Sequence, residues 1–132
     1  MESNLERYRK TFFAEATEHL AALEASFLRL DAGAHDSTAT DDAFRAAHSL
    51  KGGADAVGFP HLARFAHRLE EVLDRCRGTQ PIPQHRLDLL LETTDLLVRL
   101  VEFTKLGGSE PAGIDELLER LSEELAPTPS QG

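Results

Sequence analysis

Apolar residues recur at three- and four-residue intervals in five stretches of the chain, and none alternates with the two-residue period of a strand. The first predicted helix runs from about Leu5 to Leu30, with Leu5, Tyr8, Phe12, Ala16, Leu20, Leu23, Phe27 and Leu30 along one face. Ser3 and Glu6 form an S-x-x-E capping box at its start. At about 1.5 Å per residue the helix is roughly 39 Å long, the length of a bundle stave. The segment DAGAHDSTATDD supplies loop chemistry, after which Thr40 or Asp41 is placed to cap a second helix from about Asp42 to Val57. Gly58 and Pro60 mark the next break. Pro60 is suited to open a third helix, about His61 to Arg77, with a stripe of Leu62, Phe65, Leu69, Val72, Leu73 and Cys76, and Gly78 stops it.

A fourth helix, about Gln84 to Leu106, carries Leu87, Leu90, Leu91, Leu97, Val98 and Val101 on its main face. Leu89, Leu96, Leu100 and Phe103 form a second apolar strip on the reverse side, so this helix is expected to pack against two partners. A fifth, with Ile114, Leu117, Leu118, Leu121 and Leu125 on one side, is the natural second partner. Helices of these lengths joined by short connections predict an all-α fold, an antiparallel four-helix bundle with an accessory fifth C-terminal helix. Residues 1–125 then form one domain, and APTPSQG, 126–132, reads as the start of a polar linker or disordered tail.

Composition narrows the function classes. The chain has 132 residues, 23 acidic against 14 basic, for a formal charge of −9. That balance argues against nucleic acid, whose phosphates draw clustered Lys and Arg. No apolar run approaches the ~20 residues that span a bilayer, and MESNLERYRK has no apolar segment behind a basic one, so a cytoplasmic protein without membrane insertion is expected. The single cysteine, Cys76, excludes an internal disulfide and a CxxC site, and its place in an apolar stripe marks it as a small buried hydrophobe. Six histidines invite a metal, yet there is no H-x-x-x-H pair and no Glu-x-x-His on two helices, so no metal ligands are assigned. Nothing matches G-x-x-x-x-G-K-[ST]. No cofactor is expected in this domain, and any ATP is bound elsewhere.

The departures from the apolar pattern gather in AAHSLKGGADAVGF, residues 46–59. At about 100° per residue, Ala46, Leu50, Gly53, Ala54 and Val57 share the core arc of the second helix, while Phe44, His48, Lys51, Gly52 and Asp55 share the opposite one. Two glycines inside a helix cost about 1 kcal/mol each relative to alanine. Gly53 on the inner arc permits close helix packing. Gly52 on the outer arc clears space beside the imidazole for a partner, and Phe44 is a candidate docking residue on the same surface. On the third helix His67, Glu70 and Asp74 lie to one side of the apolar arc, with Glu70 nearest the boundary. If the short turn GFP makes the two helices antiparallel neighbours, Glu70 can accept a hydrogen bond from Nδ1–H of His48, leaving the Nε2 lone pair outward. An oriented neutral imidazole is a nucleophile. A surface histidine beside a lysine is ordinarily a solvated face, so neither feature carries function by itself.

FRAAHSLKGGADAVGF followed by LARFAHRLEEVLD resembles the histidine phosphotransfer (HPt) domain, and more narrowly the N-terminal phosphotransfer domain of CheA-type chemotaxis histidine kinases. FFAEATEHL and LLLETTDLL extend the likeness from Leu5 to about Leu125. The resemblance implies a phosphocarrier without its own ATP site: His48 accepts a phosphoryl group at Nε2, Glu70 bonds Nδ1, and Lys51 and His67 complete the polar network. It implies as partners a CheA-type kinase catalytic domain, which brings ATP and Mg²⁺, and CheY- or CheB-like receiver domains, which hold Mg²⁺ beside the acceptor aspartate. Asp55, Ala56 and Val57 depart from the family's usual residues, and Asp55 on the His48 face bears on partner choice. The resemblance leaves open whether the parent chain is a histidine kinase or a stand-alone phosphorelay protein. A binding-only bundle whose histidine is never phosphorylated, and a metal-binding bundle, are the competing readings.

Overall fold

The computed structural model describes residues 2–33, 37–77 and 81–126. Five helices follow one another: α1 (Asn4–Asp31), α2 (Ser37–Ala56), α3 (Pro60–Arg77), α4 (Gln84–Leu106) and α5 (Ile114–Leu125). No strand occurs among the described residues. Helices α1 to α4 close a ring in which each touches the two beside it, and α5 lies outside, against α3 and α4. Side-chain contacts fix the directions. Gln84 at the start of α4 meets Asp31 at the end of α1 (2.8 Å), and Arg29 near the end of α1 meets Asp42 near the start of α2 (3.6 Å). The result is the antiparallel four-helix bundle with an accessory C-terminal helix that the periodicity predicts.

The bundle axis is filled by fully buried Leu23, Phe27, Leu50, Phe65, Leu69, Leu73, Leu90 and Leu97. Each such side chain contributes about 1.5–3 kcal/mol relative to leaving it in water. Both strips of α4 are covered: Leu87, Leu90 and Leu97 are buried, and so are Leu89, Leu96 and Leu100 on the other side. Thr93 and Thr94, buried between them, return their hydroxyls to the carbonyls of Leu89 (2.7 Å) and Leu90 (2.9 Å), so the strip holds no unpaired polar group there. Leu117, Leu118 and Leu121 seat α5, whose main neighbour is α3 rather than α4. Its link to α4 is polar: Arg86 Nε donates to Glu124 (2.9 Å), and Arg120 reaches Glu92 (3.0 Å).

Three local expectations are corrected. Helix α2 starts at Ser37, not near Asp42, because Ala39, Thr40 and Ala43 continue its buried face by a further turn. Thr40 is therefore inside the helix with its hydroxyl buried and unpaired, and Asp41 ion-pairs with Arg77; neither caps. Leu5 and Tyr8 carry the α1 stripe past the end of the core and are exposed. The Ser3 cap holds, its hydroxyl accepting from Glu6 N–H at 3.1 Å. Gly78 and residues 127–132 lie outside the described residues, so the stop at Gly78 and the tail are not addressed by the structure; α5 ends at Leu125.

The two helical glycines behave oppositely. A Cβ on Gly53 would lie 3.0 Å from Cδ1 of Phe12, whose ring is buried and wedged against Phe13 and Phe59. A Cβ on Gly52 would meet nothing within 4 Å. Gly52→Ala is accordingly expected to stabilise the fold by about 0.5–1 kcal/mol through helix propensity alone. Gly53→Ala forfeits that gain to overpacking, which costs about 1–3 kcal/mol in a filled core. Urea unfolding of the two variants should rank Gly52→Ala above the parent chain and Gly53→Ala below Gly52→Ala by at least about 1 kcal/mol; equal stabilities would refute the packing account.

Cys76 is buried, and desolvation pushes its thiol pKa up, against an opposing pull from the Arg86 guanidinium, whose Nη1 lies 4.0 Å from the sulfur. A raised pKa means less thiolate at any given pH, and thiolate is the reactive form. At pH 8 the native thiol is expected to react with a disulfide reagent far more slowly than after addition of denaturant, and a rate matching the unfolded chain would contradict this burial.

Candidate functional site

The site is built by the turn between α2 and α3. Gly58 takes a left-handed conformation (φ 80°), which a side chain would strain. The N–H of Phe59 reaches back to the carbonyl of Ala54 (2.9 Å) and that of Gly58 to Asp55 (3.2 Å), the paired closure of a Schellman motif. Pro60 then begins α3, where its missing N–H costs no intrahelical bond. Arg9 of α1 clamps the turn, donating from Nε to the Val57 carbonyl (3.0 Å) with its guanidinium over the Phe59 ring (4.6 Å). So tight a reversal sets the register of the two helices. Residues equidistant in sequence from Phe59 face each other, and His48 and Glu70 are such a pair.

His48 Nδ1 lies 3.1 Å from Oε2 of Glu70. An ionised carboxylate only accepts, so in the neutral ring the hydrogen sits on Nδ1 and Nε2 keeps its lone pair. The burials differ as the chemistry requires: the Glu70 side chain is 14% exposed and that of His48 62%. Lys51, three residues on along α2, donates from Nζ to both carboxylate oxygens, at 3.0 Å to Oε2 and 3.3 Å to Oε1. Three of the four residues expected in a network are thus joined through one carboxylate. The fourth is not: His67 is exposed and turned along its own helix, its Nε2 3.7 Å from Oε1 of Glu71. Glu71 lies one residue, about 100°, round α3 from Glu70, so a His67 ring beside Glu71 is off the α2-facing side.

The outer arc of α2 is otherwise as expected, with Gly52 and Asp55 exposed. Gly52 leaves open space next to the histidine face. Phe44 is half-buried, packed on the edge of the core one turn before His48. Its ring lies nearly parallel to the imidazole, centroids 6.3 Å apart and planes 17° apart. The Arg77 guanidinium of α3 sits over that ring, 4.4 Å from the centroid. Arg77 is held in turn by Asp41 of α2 (Nε to Oδ1, 3.1 Å) and by Asp74 (3.6 Å). The sequence marks Asp41 only as a cap candidate and Arg77 only as a helix end, although a signal for their pairing was present: these opposite charges are also equidistant from Phe59. Among the described residues no group of three or more His, Cys, Asp and Glu is placed to hold a metal ion, and no helix is long and apolar enough to cross a membrane.

The Hpt domain family matches residues 7–124. Chemotaxis protein CheA of Rhizobium meliloti (strain 1021) is 37% identical over 118 residues, 89% of this chain and 15% of that protein. CheA of Bacillus subtilis (strain 168) is 34% identical over 119 residues, 89% of this chain and 18% of that protein. The chain spans less than a fifth of the length of the curated relatives it matches. Among solved structures, the solution structure of the histidine phosphotransfer domain of CheA superposes with a TM-score of 0.76 at 30% identity, covering 96% of this chain and 97% of that one. The phosphorylated P1 domain of CheA3 in complex with CheY6 from R. sphaeroides superposes with a TM-score of 0.81 at 25% identity, covering 90% and 95%. A match over almost the whole helical core, in sequence and in fold alike, means that this chain belongs to the Hpt domain family and is homologous to the phosphotransfer domain of CheA.

Proposed function

We propose that His48 is a phosphoryl carrier, loaded from ATP by a CheA-type kinase catalytic domain and unloaded onto the aspartate of a CheY- or CheB-like receiver domain. The observation that carries this reading is the Glu70 hydrogen bond to the inner nitrogen of an exposed ring, which leaves a lone pair at Nε2 facing solvent. In the first transfer that lone pair forms the N–P bond as the bond from the γ-phosphorus to the bridging oxygen breaks, and ADP departs with the electron pair. The ring becomes cationic with its hydrogen still on Nδ1, and Glu70 stabilises that charge across 3.1 Å. In the second transfer a receiver carboxylate attacks phosphorus, the N–P electrons return to Nε2, and the neutral ring is restored. No proton has to leave Nδ1 in either step.

The chain supplies a positioned nucleophile, and its partners supply the rest. ATP and Mg²⁺ belong to the kinase domain and Mg²⁺ to the receiver domain. Lys51 brings positive charge beside the ring and pairs with Glu70, which limits its reach toward incoming phosphoryl oxygens. His67, turned to Glu71, is given no part in either step. The open space at Gly52, with Asp55 on the same face, supports close approach by a partner. The CheA3 P1 domain, a relative by fold and sequence, is phosphorylated and bound to CheY6, which supports a receiver partner here. The same relationship supports a parent chain that is a histidine protein kinase acting in the cytoplasm.

Incubation with a CheA-type kinase domain and labelled ATP is expected to place an acid-labile, base-stable label on the chain, lost on transfer to a receiver domain with Mg²⁺. His48→Gln should abolish it, and label persisting in that variant rules out this assignment. Glu70→Ala removes the carboxylate that stabilises the cationic ring formed during transfer, a charge absent from the neutral resting ring. The expected cost is a roughly 10- to 100-fold slower phosphorylation. Because the pair is near the surface, stability should change by about 1 kcal/mol or less. Glu70→Gln keeps an acceptor oxygen and should fall between the two; a phosphorylation rate unchanged in Glu70→Ala would remove the carboxylate from the mechanism.

A further inference from the structure

We infer that Phe44 and Arg77 are positioning residues for the His48 imidazole, forming a second brace that holds the plane of the ring while Glu70 holds its edge. The inference deepens the phosphoryl-carrier reading and rests on it for its kinetic consequence, but not for its structural content. A histidine ring turns about a soft torsion: the bond from Cβ to the ring has broad wells rather than three sharp ones. One hydrogen bond, at 3.1 Å, restrains that torsion at a single ring atom and leaves the ring plane room to tilt. A flat ring alongside narrows that tilt, and Phe44 presents one at 17° to the imidazole, centroids 6.3 Å apart.

Phe44 is itself held. Its ring packs on the core edge, and the Arg77 guanidinium covers it at 4.4 Å, inside the range of a cation–π contact. Arg77 is tied to Asp41 at 3.1 Å and to Asp74 at 3.6 Å. These ion pairs are more than 40% exposed on both sides, where such pairs add at most about 1 kcal/mol to stability. Their geometric effect is larger than their energy, because they fix a planar cation above a planar ring that in turn lies alongside the imidazole. The brace crosses from α2 to α3 and back, as the Glu70 contact does about two turns further along. Ring orientation matters to the transfer because the Nε2 lone pair lies in the ring plane and has to point along the line of attack on phosphorus.

The test uses the 132-residue chain with Phe44→Leu, which keeps apolar volume but no flat face, Arg77→Gln, which removes the cation, and Arg77→Lys, which restores one. Two readouts are taken: the ratio of His48 ring tautomers from nitrogen-15 shifts of the neutral imidazole, and kcat and KM separately for phosphorylation by a CheA-type kinase domain. Phe44→Leu and Arg77→Gln are expected to lower the Nδ1–H fraction and to reduce kcat by roughly three- to tenfold, the scale of one aromatic contact, with KM unchanged. Arg77→Lys should restore most of both. The inference stands only if tautomer ratio and kcat move together in both variants; an unmoved tautomer ratio, an unmoved kcat, or an effect confined to KM overturns it, the last showing a docking surface instead. If the parent chain takes no label at His48, the phosphoryl-carrier reading is what fails. The tautomer measurement then still decides whether the brace orients the ring.

Discussion

One backbone reversal sets the geometry of this molecule. Gly58 holds a positive φ, the Phe59 amide closes back on Ala54, and Pro60 opens the next helix at once, so α2 and α3 meet in one register. In this register, shifting the sequence of α3 by a single residue would rotate each of its side chains by about 100° relative to α2. The carboxylate of Glu70 would then leave the face on which His48 stands, and Arg77 would leave Phe44. The clamp from Arg9 to the Val57 carbonyl and the Phe59 ring ties this turn to α1, which couples the register to the bundle as a whole.

The register also explains how an exposed, soft side chain is given a direction without being buried. The imidazole stays in solvent where a partner domain can reach it, and precision comes from groups more buried than itself. Glu70 is such a group, half-sunk between the helices and neutralised by Lys51. The imidazole is mounted in mid-helix, on a stave whose other face is packed with Ala46, Leu50 and Ala54, a more rigid base than a loop. Phosphoryl transfer rewards this arrangement, since positioning and electrostatics supply most of its catalysis.

The paired glycines show how stability and access are divided in adjacent residues. Gly53 turns inward and lets α2 approach the Phe12 ring so closely that a Cβ would lie 3.0 Å from it, so its propensity cost is returned as packing. Gly52 gives up helix propensity with no protein atom nearby to benefit. A cost that the fold does not recover is accounted for by the open surface it leaves beside the histidine. The polar contacts that secure α5, among them Arg86 with Glu124 and Arg120 with Glu92, lie on other residues and leave the site to α2 and α3.

Helix number, order and the limits of α1, α3 and α4 were legible in the periodicity, because amphipathic helices write their buried face into the sequence every three or four residues. The partnership of His48 with Glu70 was legible too, since both sit at the edge of an apolar arc and a three-residue turn leaves few registers. The start of α2 was not, because Ala39, Thr40 and Ala43 are small or polar and reveal their burial only when α1 and α3 surround them. Leu5 and Tyr8 were overread for the converse reason: a stripe records apolarity, whereas burial requires a neighbour, and none of the core reaches that far. Where His67 turns, and that Arg77 lies over Phe44, only the tertiary structure decided. Rotamers and cross-helix ring contacts depend on which of several nearby charges is closest in space, and a one-dimensional pattern carries the face of a residue but not that distance.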